Sequence, residues 1–120
     1  MRPVAALIRV EWLALAALAI FAFAITDGSW LLFAVLILAP DLSMLGYLGG
    51  PRVGAVCYNA LHTTVLPLAL LVLGFYAGPP LWIHIGLIWL AHIAIDRTLG
   101  YGLKFGSGFR DTHMGRIGRD

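Results

Sequence analysis

The sequence predicts an all-α integral membrane protein, built as an up-down bundle of four transmembrane helices. Hydrophobic residues make up 61% of the 120 residues and charged residues only 12%, whereas soluble domains are about half apolar and a quarter charged. The apolar residues form four runs of roughly the 20 residues that cross a bilayer. Only a few residues connect consecutive runs, so neighbouring helices are expected to be antiparallel.

The four runs define the element boundaries within one domain that covers residues 1–120. We place the helices at about residues 4–26, 30–48, 53–77 and 81–103. Turn-forming residues separate them at 27–29, 49–52 and 78–80. Residues 104–120 form a polar, glycine-rich cytoplasmic tail. Strands are not expected, because the apolar runs are too long and do not alternate.

Basic residues gather on one side of this bundle. Four spans place the N-terminus, the second connection and the tail together, and these regions contain Arg2, Arg52, Lys104, Arg110, Arg116 and Arg119. The charge in the connections on the other side is Asp27. Lysine and arginine mark the cytoplasmic side. We therefore predict a multi-pass protein of the bacterial inner (plasma) membrane with both termini in the cytoplasm.

Composition also limits the partners. The net charge is only +2 and the basic residues follow the membrane boundary, so no nucleic-acid partner is expected. The lipid bilayer is the solvent of the bundle. A bundle this small is expected to form a homo-oligomer, although no pattern fixes the number of copies. The single cysteine, Cys57, excludes an internal disulfide.

Ionisable side chains inside the spans are the main functional signal, because each costs roughly 2.5–3.5 kcal/mol on insertion scales. The spans contain Arg9, Glu11, Asp41, His62, His84, His92, Asp96 and Arg97. At ~1.5 Å per residue, Asp41 and His92 each lie about 17 Å below the outer start of their helix, and His62 lies about 14 Å above its inner start. In a core of about 30 Å, these three reach one layer near the midplane. Asp96 follows one turn later on the face of His92.

Asp41, His62, His92 and Asp96 therefore form a candidate metal site. Two imidazoles and two carboxylates suit a divalent ion such as zinc, iron or manganese. A bound metal would turn a water molecule into a nucleophile, and Glu11 is the candidate general base. The other polar side chains that we expect near this layer are Ser43, Tyr58, Asn59, Arg97, Thr112 and His113.

Structural roles stay open for the same residues. His62 could hold helices together through an interhelical hydrogen bond. The carboxylates could form internal ion pairs with Arg9 or Arg97, and this is the interpretation that we prefer for Glu11. His84 lies a few residues into the last helix and is interpreted as interfacial.

Two features mark the cytoplasmic end. Glycines that are expected to allow close helix approach stand at Gly46, Gly49, Gly50, Gly54, Gly100 and Gly102. The segment 109–113 is expected either to fold back over this end or to lie as part of a basic tail on anionic lipid.

The chain resembles a known family from about the second predicted helix to the tail. The residues concerned are 92–97, 99–104, Phe109, Thr112–His113, Asp41–Ser43, Gly46–Tyr47, Tyr58–Asn59 and His62. Together they closely resemble the family called domain of unknown function 4260. That resemblance implies a small bacterial membrane protein and carries no established activity.

A more distant similarity is to membrane-bound metal-dependent hydrolases. Those proteins carry a Pro-Asp motif ending one helix, a Thr-His-Ser motif opening the next, and a later His-x-x-x-Asp motif. Here Pro40–Asp41, His62–Thr64 and His92 with Asp96 are similar in order and spacing. Ser43 stands in place of a second acidic residue, and the arginine before Thr-His is absent. The similarity implies metal ligation by these aspartates and histidines.

Three functions are compatible with these patterns. The first is a metal-dependent, hydrolase-like activity on a lipidic or membrane-dissolved substrate. The second is a structural or accessory subunit with a hydrogen-bonded polar core. The third is a small transporter or proton relay, since small multidrug-resistance transporters also have four helices with a glutamate in the first. Some of those proteins insert in both orientations, which needs a weak charge bias, and the bias here is strong.

Overall fold

The computed structural model describes residues 3–101, 111–112 and 115–116, and the predicted all-α class is confirmed. The helices are α1 (Pro3–Ile25), α2 (Trp30–Leu36), a 3₁₀ helix (Ala39–Gly49), α3 (Pro51–His62), α4 (Val65–Tyr76) and α5 (Pro80–Leu99). α2 and the 3₁₀ helix form the second predicted helix, and α3 and α4 form the third. In the tail, β1 (Asp111–Thr112) and β2 (Gly115–Arg116) pair as an antiparallel ladder.

Three of the four helical units are long and apolar enough to cross a membrane: Pro3–Ile25, Trp30–Gly49 and Pro51–Tyr76. The fourth unit, α5, has 20 residues, which gives about 30 Å, the thickness of a hydrocarbon core. It is less apolar because it carries two histidines, an aspartate and an arginine. Of these side chains, His92 and Arg97 are buried against neighbouring helices. The polarity of α5 is therefore directed largely into the protein.

α5 is the central helix. Its backbone closely approaches α1 and α4, while the 3₁₀ helix closely approaches α3. One apolar cluster joins α1 to α5 and consists of Ala19, Phe23, Leu87, Ile88 and Ala91. Large apolar side chains on the outer faces are exposed, among them Leu7, Leu18, Phe21, Leu48 and Phe75. A surface with this much exposed apolar area fits a lipid environment.

Two prolines interrupt the second and third units. Proline has no N–H, and its ring clashes with the carbonyl group four residues earlier. α2 ends at Leu36, four residues before Pro40. α3 ends just before Thr63, which is four residues before Pro67 and has an extended backbone. The breaks fall within the second and third units and release carbonyl groups from their helical hydrogen bonds.

The hairpin between the 3₁₀ helix and α3 needs glycine, which agrees with the predicted close approach. A Cβ atom at Gly54 would overlap the ring of Tyr47, and one at Gly46 would lie 2.6 Å from the Cβ of Cys57. Gly50 joins the two helices with φ of 108°, a conformation that L side chains rarely adopt.

Candidate metal centre

The four predicted ligands meet where the two units are broken. Asp41 lies in the first turn of the 3₁₀ helix, and His62 is the last residue of α3. His92 and Asp96 are one turn apart on α5. One ligand atom from each residue lies within 4.8 Å of all the others. Three separate segments thus bring nitrogen and oxygen atoms to one point.

Five of the six distances between the four atoms match the edges of a metal coordination sphere. The two Nε2 atoms are 3.1 Å apart. His62 Nε2 lies 3.2 Å from Asp41 Oδ1 and 3.3 Å from Asp96 Oδ2. His92 Nε2 lies 3.1 and 3.2 Å from the same two atoms. A tetrahedral ion with bonds of about 2.0–2.1 Å separates its ligand atoms by about 3.3–3.4 Å, and an octahedral ion separates adjacent ones by about 3.0 Å.

Backbone carbonyl groups fix the other nitrogen of each imidazole. His62 Nδ1 lies 2.9 Å from the carbonyl oxygen of Tyr58, and His92 Nδ1 is hydrogen-bonded to the carbonyl oxygen of Ile37. A carbonyl oxygen only accepts, so each Nδ1 donates a proton. Each neutral ring then directs the lone pair of Nε2 into the centre. Metal-bound histidines are typically oriented in this way.

With both imidazoles neutral and both carboxylates ionised, the four central atoms are all hydrogen-bond acceptors. Ionised carboxylates donate no hydrogen bond, and neither does a bare Nε2. His62 and His92 are only 2% and 3% exposed, so water screens the lone pairs poorly and their mutual repulsion is costly. A cation at the centre removes this cost. Protonation of both imidazoles, with ion pairs to Asp41 and Asp96, is the alternative.

The break after α2 supplies the carbonyl group that orients His92. The N–H of Asp41 donates to the carbonyl oxygen of Leu38 at 3.0 Å, which is the 3₁₀ pattern. In a continuous α-helix the same N–H would bond to Ile37. The oxygen of Ile37 is thereby released and accepts from His92 Nδ1. Pro40, which breaks the helix, therefore also helps to position a candidate ligand on another helix.

The end of α3 is anchored to α5 in a similar way. Trp89 Nε1 donates to the carbonyl oxygen of Leu61 at 2.6 Å, and Arg97 Nη2 donates to that of His62 at 2.8 Å. The guanidinium of Arg97 also lies 5.0 Å from the ring centroid of Trp12, which is a cation–π contact. Because a helix C-terminus carries partial negative charge, the end of α3 favours a cation nearby.

Tyr58 holds the plane of one imidazole. Its ring stacks on that of His62 with centroids 3.7 Å apart and an angle of 6° between the planes. Tyr58 is only 2% exposed, and its phenol interacts electrostatically with Asp41, Asp96 and Arg97. The structure therefore places this predicted member of the polar cluster directly against a candidate ligand.

Other predicted residues lie elsewhere. Glu11 is exposed on α1 and is not among the four residues that converge. The hydroxyl of Ser43 donates to the carbonyl oxygen of Pro40 at 2.7 Å and so stabilises its own turn. His84 Nε2 lies 3.0 Å from the carbonyl oxygen of Thr26, near the start of α5.

The remaining predicted members of the polar cluster are Asn59, Thr112 and His113. Asn59 is half-buried on α3, three residues before His62. Thr112 belongs to β1, and His113 and most of the segment 109–113 lie outside the described residues. Their predicted place near the centre stays a prediction.

The groups that hold the candidate ligands in place were not predicted from the sequence. Trp89, Trp12 and the carbonyl group of Ile37 were not among the candidates. Their roles depend on the helix breaks, and the signal for the breaks was present. Pro40 and Pro67 each stand inside an apolar run, where proline ends or kinks a helix. Irregular backbone at membrane depth is tolerated only where protein or a cavity surrounds it.

Comparison with known proteins assigns the family. The family model described as Domain of unknown function (DUF4260) matches residues 5–117, so the chain belongs to this family and the first resemblance is confirmed. No curated protein and no solved structure matches the chain significantly. The comparisons do not show the more distant similarity to metal-dependent hydrolases.

Proposed function

We propose that this member of the DUF4260 family binds one divalent metal ion within the membrane through Asp41, His62, His92 and Asp96. In this proposal α5 is the fourth span, both termini lie in the cytoplasm of a bacterial cell, and the ion is zinc, iron or manganese. One observation carries the proposal: four acceptor atoms converge at 3.1–3.3 Å along the measured edges, and backbone carbonyls orient both imidazoles.

The metal supports hydrolase-like chemistry on a membrane-dissolved substrate. A bound divalent ion polarises a carbonyl or phosphoryl oxygen and lowers the pKa of a bound water. The side chain of Asp41 is 33% exposed, against 17% for Asp96, so Asp41 marks the open side of the centre. Oδ1 of Asp41 is the oxygen that faces the imidazoles, so we assign the general base to the other carboxylate oxygen of Asp41 in place of Glu11. A base must lie within hydrogen-bond reach of the water that it activates.

Metal analysis of the purified protein tests the proposal. A tag free of histidine is used, and bound metals are measured by mass spectrometry in the wild type, Asp41→Ala and His92→Ala. The matched controls are Glu11→Gln and His84→Ala, which change an acid and a histidine outside the centre. We expect near-stoichiometric metal in the wild type and both controls, and its loss in the two site variants.

Absence of metal from every sample, after growth in metal-supplemented medium, would contradict the proposal. If alanine at Asp41, His62 and Asp96 then lowered thermal stability equally, the polar core would be a hydrogen-bonded scaffold of a structural or accessory subunit.

A second candidate function is transport of the metal or of protons, and the broken helices favour it. Transporters build midplane ion sites from discontinuous helices, with helix C-termini and freed carbonyls near the cation. Here α3 ends at His62, and Pro40 and Pro67 interrupt two units. Flux of zinc or protons into proteoliposomes measures this function. Equal flux with the wild type and with His92→Ala would exclude it.

A further inference from the structure

An apolar groove of about 200 Å³ lies beside the proposed metal centre. Its lining includes Leu36, Ala39, Pro40, Leu61, Ile88 and Trp89. Pro40 directly precedes Asp41, and Leu61 directly precedes His62, so the groove and the centre share a border. The indole N–H of Trp89 is already donated to the carbonyl oxygen of Leu61. The groove wall therefore suits a hydrocarbon chain.

The opposite side of the centre is polar and cationic. Along α5, Ile88 and Trp89 precede His92, whereas Asp96 and Arg97 follow it. Arg97 is only 6% exposed and donates to the end of α3. The centre thus lies between an apolar groove toward one end of the bundle and a buried cation toward the other.

The charges at the centre favour an anionic ligand. Metal binding requires neutral imidazoles and ionised carboxylates, so Asp41 and Asp96 balance the two positive charges of the ion. The guanidinium of Arg97 then leaves one positive charge in excess, and an unbalanced buried charge is costly. Guanidinium groups and divalent ions both bind phosphate and carboxylate groups well.

We infer that the site binds an anionic amphiphile with a linear hydrocarbon chain. The chain lies in the groove, and a phosphate or carboxylate head group lies at the metal and Arg97. An apolar cavity of about 150 Å³ holds one benzene molecule, so about 200 Å³ accommodates roughly eight chain carbons. This inference rests on the proposed function, since the head group binds the metal, and it names the substrate class of the same site.

The polarity of the site also matches a lipid in one leaflet. Such a molecule has its head group near one membrane surface and its chain toward the bilayer centre. The Arg97 end of the site is the end at which α5 terminates and the 3₁₀ helix turns into α3, and the groove lies farther from that end. An amphiphile from the leaflet on that side therefore enters with its head group toward Arg97 and its chain toward the groove.

Chain-length dependence tests the inference. Cobalt(II)-loaded protein, in a sterol-based detergent without linear alkyl chains, is titrated with inorganic phosphate, butyl phosphate and octyl phosphate while the visible spectrum of cobalt is recorded. Octanoate serves as the carboxylate counterpart of octyl phosphate. Each buried methylene contributes about 0.8 kcal/mol, or nearly fourfold in affinity, so octyl phosphate should bind at least about tenfold more tightly than butyl phosphate.

Two variants distinguish binding of the chain in the groove from partitioning of the chain into the detergent micelle. Ala39→Leu fills part of the groove, and we expect the octyl-to-butyl affinity ratio to fall by about tenfold, since two or more methylenes lose their place. The matched control is Ala69→Leu on the exposed face of α4, which should leave the ratio unchanged. Metal content checks the folding of both variants. If Ala39→Leu does not fold, Ile85→Phe is the second variant that fills the groove, because Ile85 also lines it and is only partly buried.

Three results would overturn the inference. In the first, the protein binds metal, but inorganic phosphate, butyl phosphate and octyl phosphate all bind with equal affinity. The groove then holds no chain, and the proposed metal centre survives. If Ala39→Leu and Ala69→Leu lower the ratio equally, the chain dependence comes from the micelle. If the wild type binds no metal, the proposed function and this inference fail together.

Discussion

Helix α5 is held on its two sides by different kinds of contact. Toward α1 and α4 its backbone approaches closely through small residues. Ala91 of α5 and Ala19 of α1 belong to one buried cluster, and Gly86 of α5 lies against Leu71 and Pro67 of α4. Toward the hairpin of the 3₁₀ helix and α3, the contacts are polar: the histidine–aspartate centre, Trp89 to Leu61, and Arg97 to His62.

The difference matters because lipid removes the hydrophobic driving force between helices. Helices in a membrane associate through van der Waals packing of small residues or through polar contacts. α1, α4 and α5 use mainly the first mechanism, and the hairpin reaches α5 through the second. A metal ion at the centre would therefore fasten the hairpin to the rest of the bundle, and its loss should loosen one side of α5 only.

The largest expected effect is that of removing one ligand. His92→Ala removes one of the two imidazoles that face Asp41 and Asp96 and, in the proposed function, also the bound metal, so it should destabilise the protein by about 3–5 kcal/mol. Hydrogen exchange should rise in the 3₁₀ helix and α3, while α1 changes little. His84→Ala is the control, because it removes a histidine of the same helix that lies outside the centre. A uniform rise in hydrogen exchange over all helices would contradict the claim that the centre holds only the hairpin side of α5.

The second prediction concerns the break after α3. Pro67→Ala permits a continuous helix through Thr63, which would withdraw the carbonyl oxygens of Leu61 and His62 from α5. Loss of such supporting contacts typically lowers metal affinity by about 10–100-fold. Affinity is measured by competition with a chelator. Pro79→Ala, just before α5, is the control, and an equal effect of both substitutions would show that the break is not required.

Overpacking the hairpin should have an effect of similar or smaller size. Gly54→Ala places a methyl group in the ring of Tyr47, and strain of this kind typically costs about 1–3 kcal/mol. Thermal unfolding followed by circular dichroism measures the loss. Ala60→Leu on the exposed face of α3 should be nearly neutral. A variant Gly54→Ala as stable as Ala60→Leu would mean that the hairpin is not closely packed.

The smallest effect is expected at a single hydrogen bond. Trp89→Phe keeps most of the ring but leaves the carbonyl oxygen of Leu61 without its donor, which should cost about 0.5–1.5 kcal/mol. Trp82→Phe changes an exposed tryptophan of the same helix and should cost less. Equal losses of thermal stability in the two variants would show that the indole N–H does not anchor α3.

The parts of the molecule that the sequence predicts are those that follow from regular geometry. α5 is continuous, so the spacing of His92 and Asp96 places both on one face. The predicted depth of Asp41 used ~1.5 Å per residue, whereas a 3₁₀ helix rises about 2.0 Å; the error is small because Asp41 lies near the start of that segment. Composition and turn residues define the four units.

Other features depend on tertiary contacts. Apart from Arg9 and Glu11, α1 carries apolar residues on every face, so its pattern could not show that Glu11 is exposed to the surroundings rather than turned toward the centre. The role of Trp89 follows from a carbonyl group that only a broken helix releases. Arg97 bonds to the backbone of His62 and not, as one alternative had it, to Asp41, because the imidazoles already face that carboxylate.

X-ray absorption of the zinc-loaded protein tests the central claim most directly. We expect a shell of nitrogen and oxygen atoms at about 2.0–2.1 Å, with outer scattering from two imidazoles. Zinc surrounded by oxygen atoms alone, or outer scattering from fewer than two imidazoles, would contradict a metal centre built from Asp41, His62, His92 and Asp96.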